Sequence, residues 1–270
     1  MIKINNDIRM LGFRSMISCP NISHFVTTRS GGCSNGKYTS LNCWYSSGDK
    51  PENVERNMDI VCNALPQKPR KLIVPNQMHS SEFKIINSSF NRLNDDERDE
   101  FLFGVDALIT REPKICISVS TADCIPVLLY DQRKQIVAAI HAGWRGTVGQ
   151  IVKNTVQAMK DNFQCDARDL IAGIGPGICA ENFEVGEEVY LDFAIAGFNM
   201  DSISYLNKQT LKHHIDLCEA NRIQLLEAGI QASNIELAGL CTYREEGTFF
   251  SVRRSGPYTG RMVSGIMLNK

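Results

Sequence analysis

Several absences constrain this chain before any motif does. None of its ten cysteines forms a C-x-x-C pair, the spacing on which zinc ribbons and thioredoxin-type redox sites depend. No run approaches the roughly 20 apolar residues needed to span a bilayer. The opening stretch "MIKINNDIRMLGFRSMISCPNISHF" has charged and polar residues throughout, with no apolar core of signal-peptide length. The net charge of -1 supplies no bulk field for nucleic acid or an anionic membrane. Low-complexity tracts, clear internal repeats and linker-like Gly/Ser/Pro segments are also missing. The expectation is a cytoplasmic protein, with no nucleic-acid or membrane partner, and with protein partners left open. In that setting the cysteines read as small buried thiols, not as a disulfide framework.

Histidine is scarce: five residues in 270, two of them adjacent. A length of 270 with 43% hydrophobic residues suffices for a substantial core, and without linkers we read one domain over residues 1–270. "DALIT", "KICISVS", "IPVLLYD" and "QIVAAIHA" are short and mostly rich in β-branched residues, so they read as strands of a central sheet. "KLIVPNQMHSSEFKII" reads as strand, turn and strand, with His79 at the turn. "NIELAGLCTY", "TFFSVRR" and "GRMVSGIML" are expected as late strands.

Val54, Met58, Val61, Cys62 and Leu65 recur at helical spacing behind Pro51, which predicts an amphipathic helix. Val148, Ile151, Val152, Val156, Met159 and Phe163 form a second stripe, and Thr147 with Gln150 fits a capping box at its start. "GEEVYLDF" and "DLCEANRIQLLEAG" also read as helices, and "NRLNDDERDEF" as a solvated helix or loop. The fold class is therefore α/β (α+β), a layered sandwich with a central mixed sheet.

The chemistry-bearing residues gather where strands end. His79, Cys124 and His141 offer two imidazoles and a thiolate, a set that suits zinc and leaves one position open for water or substrate. A bound zinc would hold Cys124 as thiolate and bring a coordinated water's pKa to about 7. The same residues also allow Cys124 as a nucleophile with His141 as its base, or three side chains buried independently. Arg145 precedes an expected helix start and is a candidate phosphate clamp. Arg29 lies beside glycines that let a backbone approach a ligand, and Arg253, Arg254 and Arg261 form a basic group of open role. His24 reads as satisfying a local hydrogen bond; His213 and His214, being adjacent, point different ways. Asp123 neighbours Cys124, but strand alternation would turn it to the opposite face.

The segments "TTRSGGCS", "NQMHSS", "DALIT", "STADCIPVLLYD", "HAGWRGTV", "GPGICAENFEVG", "CTY", "FFSVRR" and "GR" together resemble the YfiH-like, laccase-domain family. These proteins, once regarded as multicopper polyphenol oxidases, are now regarded as purine nucleoside phosphorylases. The match spans Thr27 to Arg261, and the pairing of "TADC" with "HAGWRG" is its most specific part. The resemblance implies a YfiH-like α/β sandwich, with zinc held by His79, Cys124 and His141. It further implies phosphorolysis of adenosine, inosine, guanosine and S-methyl-5'-thioadenosine, with adenosine deaminase activity. The substrates would be a purine nucleoside and phosphate, with Cys124, His141 and Arg145 as catalytic candidates and Arg29, Gln77 and Arg145 as substrate-binding ones. One departure is Ser80, where the family usually has glycine after the histidine. Five histidines are too few for a blue-copper centre plus a trinuclear cluster, so copper ranks below zinc. The alternatives kept are a metal-independent Cys-His hydrolase and a non-enzymatic nucleotide-binding protein.

Overall fold

The structure is a computed structural model and describes residues 1–5 and 8–270. Two six-stranded sheets lie face to face, and a three-stranded sheet stands apart among the described residues. The first sheet runs Ile2–Asn5, Met10–Gly12, Ile22–Thr27, Met262–Leu268, Ile115–Thr121 and Lys71–Ile73. The second runs Ile235–Leu237, Leu170–Ile174, Ile125–Asp131, Ile136–Ala142, Ala107–Thr110 and Phe83–Ile86. Both sheets are antiparallel inside and carry parallel pairs only at edges, so both are mixed. The layered sandwich expected from the sequence is therefore present, with one difference. The four strands assigned to one central sheet divide between two, because Ile115–Thr121 belongs to the first sheet and the other three to the second.

Strand alternation explains the sandwich. Ile117, Val119 and Ile266 of the first sheet meet Leu128, Tyr130 and Val137 of the second in one buried cluster. The opposite face of the second sheet, with Val127, Leu129 and Ile140, packs on the helices Ile151–Phe163 and Leu217–Glu227. That sheet is covered on both sides, so "IPVLLYD" and "QIVAAIHA" are near-continuously apolar instead of alternating. The outer face of the first sheet, with Phe25, Val263 and Met267, packs against the helix Pro51–Ala64. Each fully buried Leu, Ile, Val or Phe here stabilises the fold by roughly 1.5–3 kcal/mol. No helix among the described residues is long and apolar enough to cross a membrane.

Three local expectations fail for identifiable reasons. Thr147 does not cap a helix. The helix Trp144–Val148 starts three residues earlier, with Gly143 as its N-cap, and the buried Thr147 hydroxyl donates back to Gly143 O at 2.9 Å. Gln150, at φ +62°, interrupts the helical run before Ile151–Phe163 begins. "TFFSVRR" is not a strand: Phe249 and Phe250 are both buried, which a one-faced strand forbids, and Val252–Ser255 is a helical turn. In "NIELAGLCTY" only Ile235–Leu237 is extended. The acidic run left open above does contain a helix, Asp95–Leu102, closed by a capping box between Asn94 and Glu97. All ten cysteines are free, and five of them are buried.

Candidate metal centre

Hairpin register brings two of the expected ligands together. Ile125 pairs with Ala142 across the antiparallel strands Ile125–Asp131 and Ile136–Ala142, so the residue before one strand lies beside the end of the other. Cys124 and His141 therefore meet at one end of the second sheet. His79 arrives on the loop between Lys71–Ile73 and Phe83–Ile86, in a left-handed conformation at φ +59°. The ligand atoms of His79, Cys124 and His141 all lie within 4.8 Å of one another. Zinc–nitrogen and zinc–sulfur bonds of about 2.0–2.3 Å in a tetrahedron set ligand atoms roughly 3.5 Å apart, so small side-chain adjustments close the site. The two imidazole rings stand edge to face, their centroids 5.0 Å apart. Among the described residues this is the one cluster of three such side chains able to hold a metal ion.

Asp106 organises the centre, and the sequence reading passed over it. It stands just before the strand Ala107–Thr110, whose register sets it opposite His141, and it is fully buried. His141 Nδ1 lies 2.6 Å from Asp106 Oδ1, an arrangement that leaves Nε2 free to bind a metal. The main-chain N–H groups of Met78, His79 and Ser80 all donate to the same carboxylate, at 3.1, 3.2 and 2.7 Å. One side chain thus orients one ligand and anchors the loop that carries another. Ser80 suits this loop without being glycine, because the left-handed residue is His79 and the Ser80 hydroxyl donates to Gly104 O at 2.6 Å. No spacing rule singles out an aspartate for such work.

The electrostatics favour an ionised thiolate. Burial raises the Cys124 thiol, but His141 and His79 beside it more than offset that and bring its pKa down to about 6. Cys116, buried with no histidine nearby, is pushed up instead. Burial lowers His141, while Cys124 and Asp106 raise it further, to about 9. Asp106 is raised by burial and lowered more strongly by His141 and Ser80, so it stays below the ordinary carboxylate range. Gly143 completes the wall: a Cβ there would stand 2.8 Å from His79 Cδ2 and 3.1 Å from Cys124 Sγ.

The trio opens into a cavity of about 510 Å³, within the range of small-molecule sites. Trp44 and Phe183 give it aromatic walls, and Asp123, Arg253 and Arg261 give it charge. A larger cleft of about 1000 Å³ touches it at Trp44 but carries none of the three ligands. Asp123 requires a correction. Ala122, Asp123 and Cys124 are not strand; they form the bend that carries the chain from the first sheet to the second. With Asp123 at φ +99°, alternation does not apply, and Asp123 and Cys124 line the same cavity. Its carboxylate accepts from the Thr242 hydroxyl and from Arg253 N, both at 2.7 Å.

The remaining candidates are placed as follows. Gln77 lines the cavity, with its amide committed to Ser120: Oε1 accepts from Ser120 N at 2.7 Å and Nε2 donates to Ser120 O at 2.9 Å. Arg145 is exposed, its guanidinium stacked 4.3 Å from the Trp144 ring centroid, and Arg29 donates to Thr39 O and Glu246 O. Neither arginine is among the described residues lining the cavity. Arg254 ties Thr242, Tyr243 and Phe249 together through their carbonyls. His24 accepts from Phe13 N at 2.8 Å, the local bond expected of it. His213 stacks on Tyr190 and His214 on Tyr205, on opposite faces of their strand.

A family model, described as multi-copper polyphenol oxidoreductase laccase, matches residues 23–269. A purine nucleoside phosphorylase of Bacteroides thetaiotaomicron is 50% identical over 270 residues, 100% of both chains. Adenosine deaminase RL5, from an unknown prokaryotic organism, is 40% identical over 250 residues, covering 92% of this chain and 95% of its own. The crystal structure of YlmD from Geobacillus stearothermophilus superposes with a TM-score of 0.89 at 27% identity, over 100% of this chain and 98% of that one.

Proposed function

Since the chain belongs to the YfiH-like, laccase-domain family, we propose that it is a zinc-dependent purine nucleoside phosphorylase with adenosine deaminase activity. The observation that carries this reading is the His79, Cys124 and His141 cluster, oriented by Asp106 on the wall of a nucleoside-sized cavity. The donor set fits zinc, with one thiolate already favoured, two imidazoles and an open fourth position. When bound, zinc supplies Lewis acidity to an oxygen of water or phosphate.

The chain's own residues supply the rest. Trp44 and Phe183 offer ring faces for a purine, where stacking contributes roughly 1–3 kcal/mol per base. In phosphorolysis a phosphate oxygen bonds to the anomeric carbon while the glycosidic C–N bond breaks. The purine leaves with the bonding pair and takes up a proton. Asp123 is the cavity's one carboxylate among the described residues, and we assign it the proton transfers of both reactions. Asp106, which holds His141 and the His79 loop, is a positioning residue.

Purified protein is expected to hold about one zinc per chain. It should release the free base from adenosine, inosine, guanosine and S-methyl-5'-thioadenosine only when phosphate is present. Chelation should abolish turnover and added zinc should restore it. Undiminished turnover by metal-free protein refutes the metal assignment. One observation favours a second reading, a metal-independent Cys-His hydrolase: the Cys124 thiol is depressed beside His141. That reading predicts that iodoacetamide inactivates the enzyme at Cys124 and that chelators leave activity intact.

A further inference from the structure

We infer that Arg253 and Arg261 form the oxyanion subsite of the cavity that holds His79, Cys124 and His141, sized and charged for inorganic phosphate. The inference rests on the phosphorylase reading above for its biological ligand, while the subsite itself is argued from the two side chains. Among the described residues lining the cavity, these are the only arginines, and no lysine joins them.

Both arginines are held in the same way. Arg261 donates through Nη1 to Thr259 O at 2.7 Å and Gly260 O at 3.1 Å, and its guanidinium lies 4.7 Å from the Trp44 ring centroid. Arg253 donates through Nη1 to Asn182 O at 3.1 Å and Glu184 O at 3.0 Å, and its guanidinium lies 5.3 Å from the Phe183 ring centroid. In each case one nitrogen is tied to two carbonyls and the plane rests on an aromatic ring. The Nε and Nη2 edge is left uncommitted, apart from a 3.4 Å contact from Arg261 to Pro257 O. That edge is the fork that grips an oxyanion with two parallel hydrogen bonds.

Among the described residues, neither guanidinium has a carboxylate partner within ion-pair distance. The arginines among the described residues that form ion pairs are Arg98, Arg133, Arg168, Arg222, Arg244 and Arg254. Asp123 is the nearby acid, and its two oxygens take the Thr242 hydroxyl and the Arg253 main-chain N–H, not a guanidinium. Arg253 is exposed, but Arg261 is half-buried, and the desolvation cost of that cation depresses it, with Cys124 and Asp123 opposing the shift. A bound anion removes that cost. Arg145, the sequence-based choice for this role, stands outside the lining, in the first turn of a five-residue helix too short to focus a useful dipole.

The test is calorimetric titration of the zinc-loaded protein with inorganic phosphate alone. The wild type should bind one phosphate. Arg261→Gln and Arg253→Gln should each weaken binding on the order of 10- to 100-fold, the loss of charge-assisted hydrogen bonds. Arg261→Lys, which keeps the charge but not the fork, should fall between. In turnover the same variants should raise KM for phosphate more than KM for nucleoside, a split that general loosening of the fold would not produce. Wild-type phosphate affinity in both glutamine variants overturns the inference. So does a loss that appears in Arg145→Gln instead, an equal rise in both KM values, or no phosphate binding by the wild type. Phosphate binding that depends on both arginines, in a protein that releases no purine, refutes the phosphorylase reading and leaves the subsite standing.

Discussion

Replacing Asp106 with asparagine removes the carboxylate's charge while keeping its shape, and the structure says what must follow. The buried group accepts from four N–H donors, His141 Nδ1 and the main-chain groups of Met78, His79 and Ser80, and shares the single Ser80 hydroxyl proton with Gly104 O. An amide can accept only through its oxygen. If its NH2 takes the Oδ1 place, it faces the His79 N–H and forces the His141 proton onto Nε2, the nitrogen needed for metal. If the NH2 takes the Oδ2 place, it opposes the N–H groups of Met78 and Ser80. Either orientation leaves part-buried donors unpaired, which costs roughly 1–3 kcal/mol, the range for an unsatisfied donor. Losing an outer-shell partner of a metal-bound histidine typically lowers metal affinity about 10–100-fold. Competition against a chromogenic chelator measures the second effect, and urea unfolding of the metal-free protein measures the first. An Asp106→Asn protein with wild-type metal affinity and an unchanged unfolding midpoint would show that Asp106 neither orients His141 nor holds the His79 loop.

Three further outcomes are expected. Cys124→Ser exchanges a soft ligand for a hard, protonated one, so metal affinity should fall by more than the ~10–100-fold of an outer-shell loss; stoichiometric metal after gel filtration would contradict this. In the metal-free protein Cys124 titrates near pH 6 and His141 near pH 9, so between these values the pair holds one proton, on His141. Metal entry should therefore displace one proton from the pair between about pH 6 and 9 and two below, and affinity should fall as the pH drops. Calorimetry in buffers of different ionisation enthalpy counts these protons, and an affinity independent of pH would refute the coupling. Gly143→Ala keeps an ordinary φ of -72° but drives a methyl group against His79 and Cys124. It should cost about 1–3 kcal/mol as overpacking and weaken metal binding, read from thermal unfolding with and without zinc; wild-type values in both would remove the steric argument.

Local pattern and residue chemistry carried much of this molecule. The strands Ile125–Asp131 and Ile136–Ala142 are legible because continuous apolar β-branched runs suit a sheet covered on both faces. The helix Pro51–Ala64 is legible because its apolar spacing repeats every turn. His79, Cys124 and His141 could be named in advance because each sits where a strand-like run ends and because the motifs around them resemble a known family.

Tertiary structure decided what depends on residues far apart in the chain. Asp106 looks like any polar residue before a strand until register sets it against His141, 35 residues on. Asp123 seemed turned away from Cys124 until a left-handed bend between two sheets put both on one wall. Arg145 carries the same local promise as Arg253 and Arg261, yet it packs on Trp144 outside the cavity while the other two line it. Periodicity encodes which face of an element is buried. Which strands pair, and which distant loop closes over their ends, follows from the packing of the whole chain, and the charges of this site were assembled at that level.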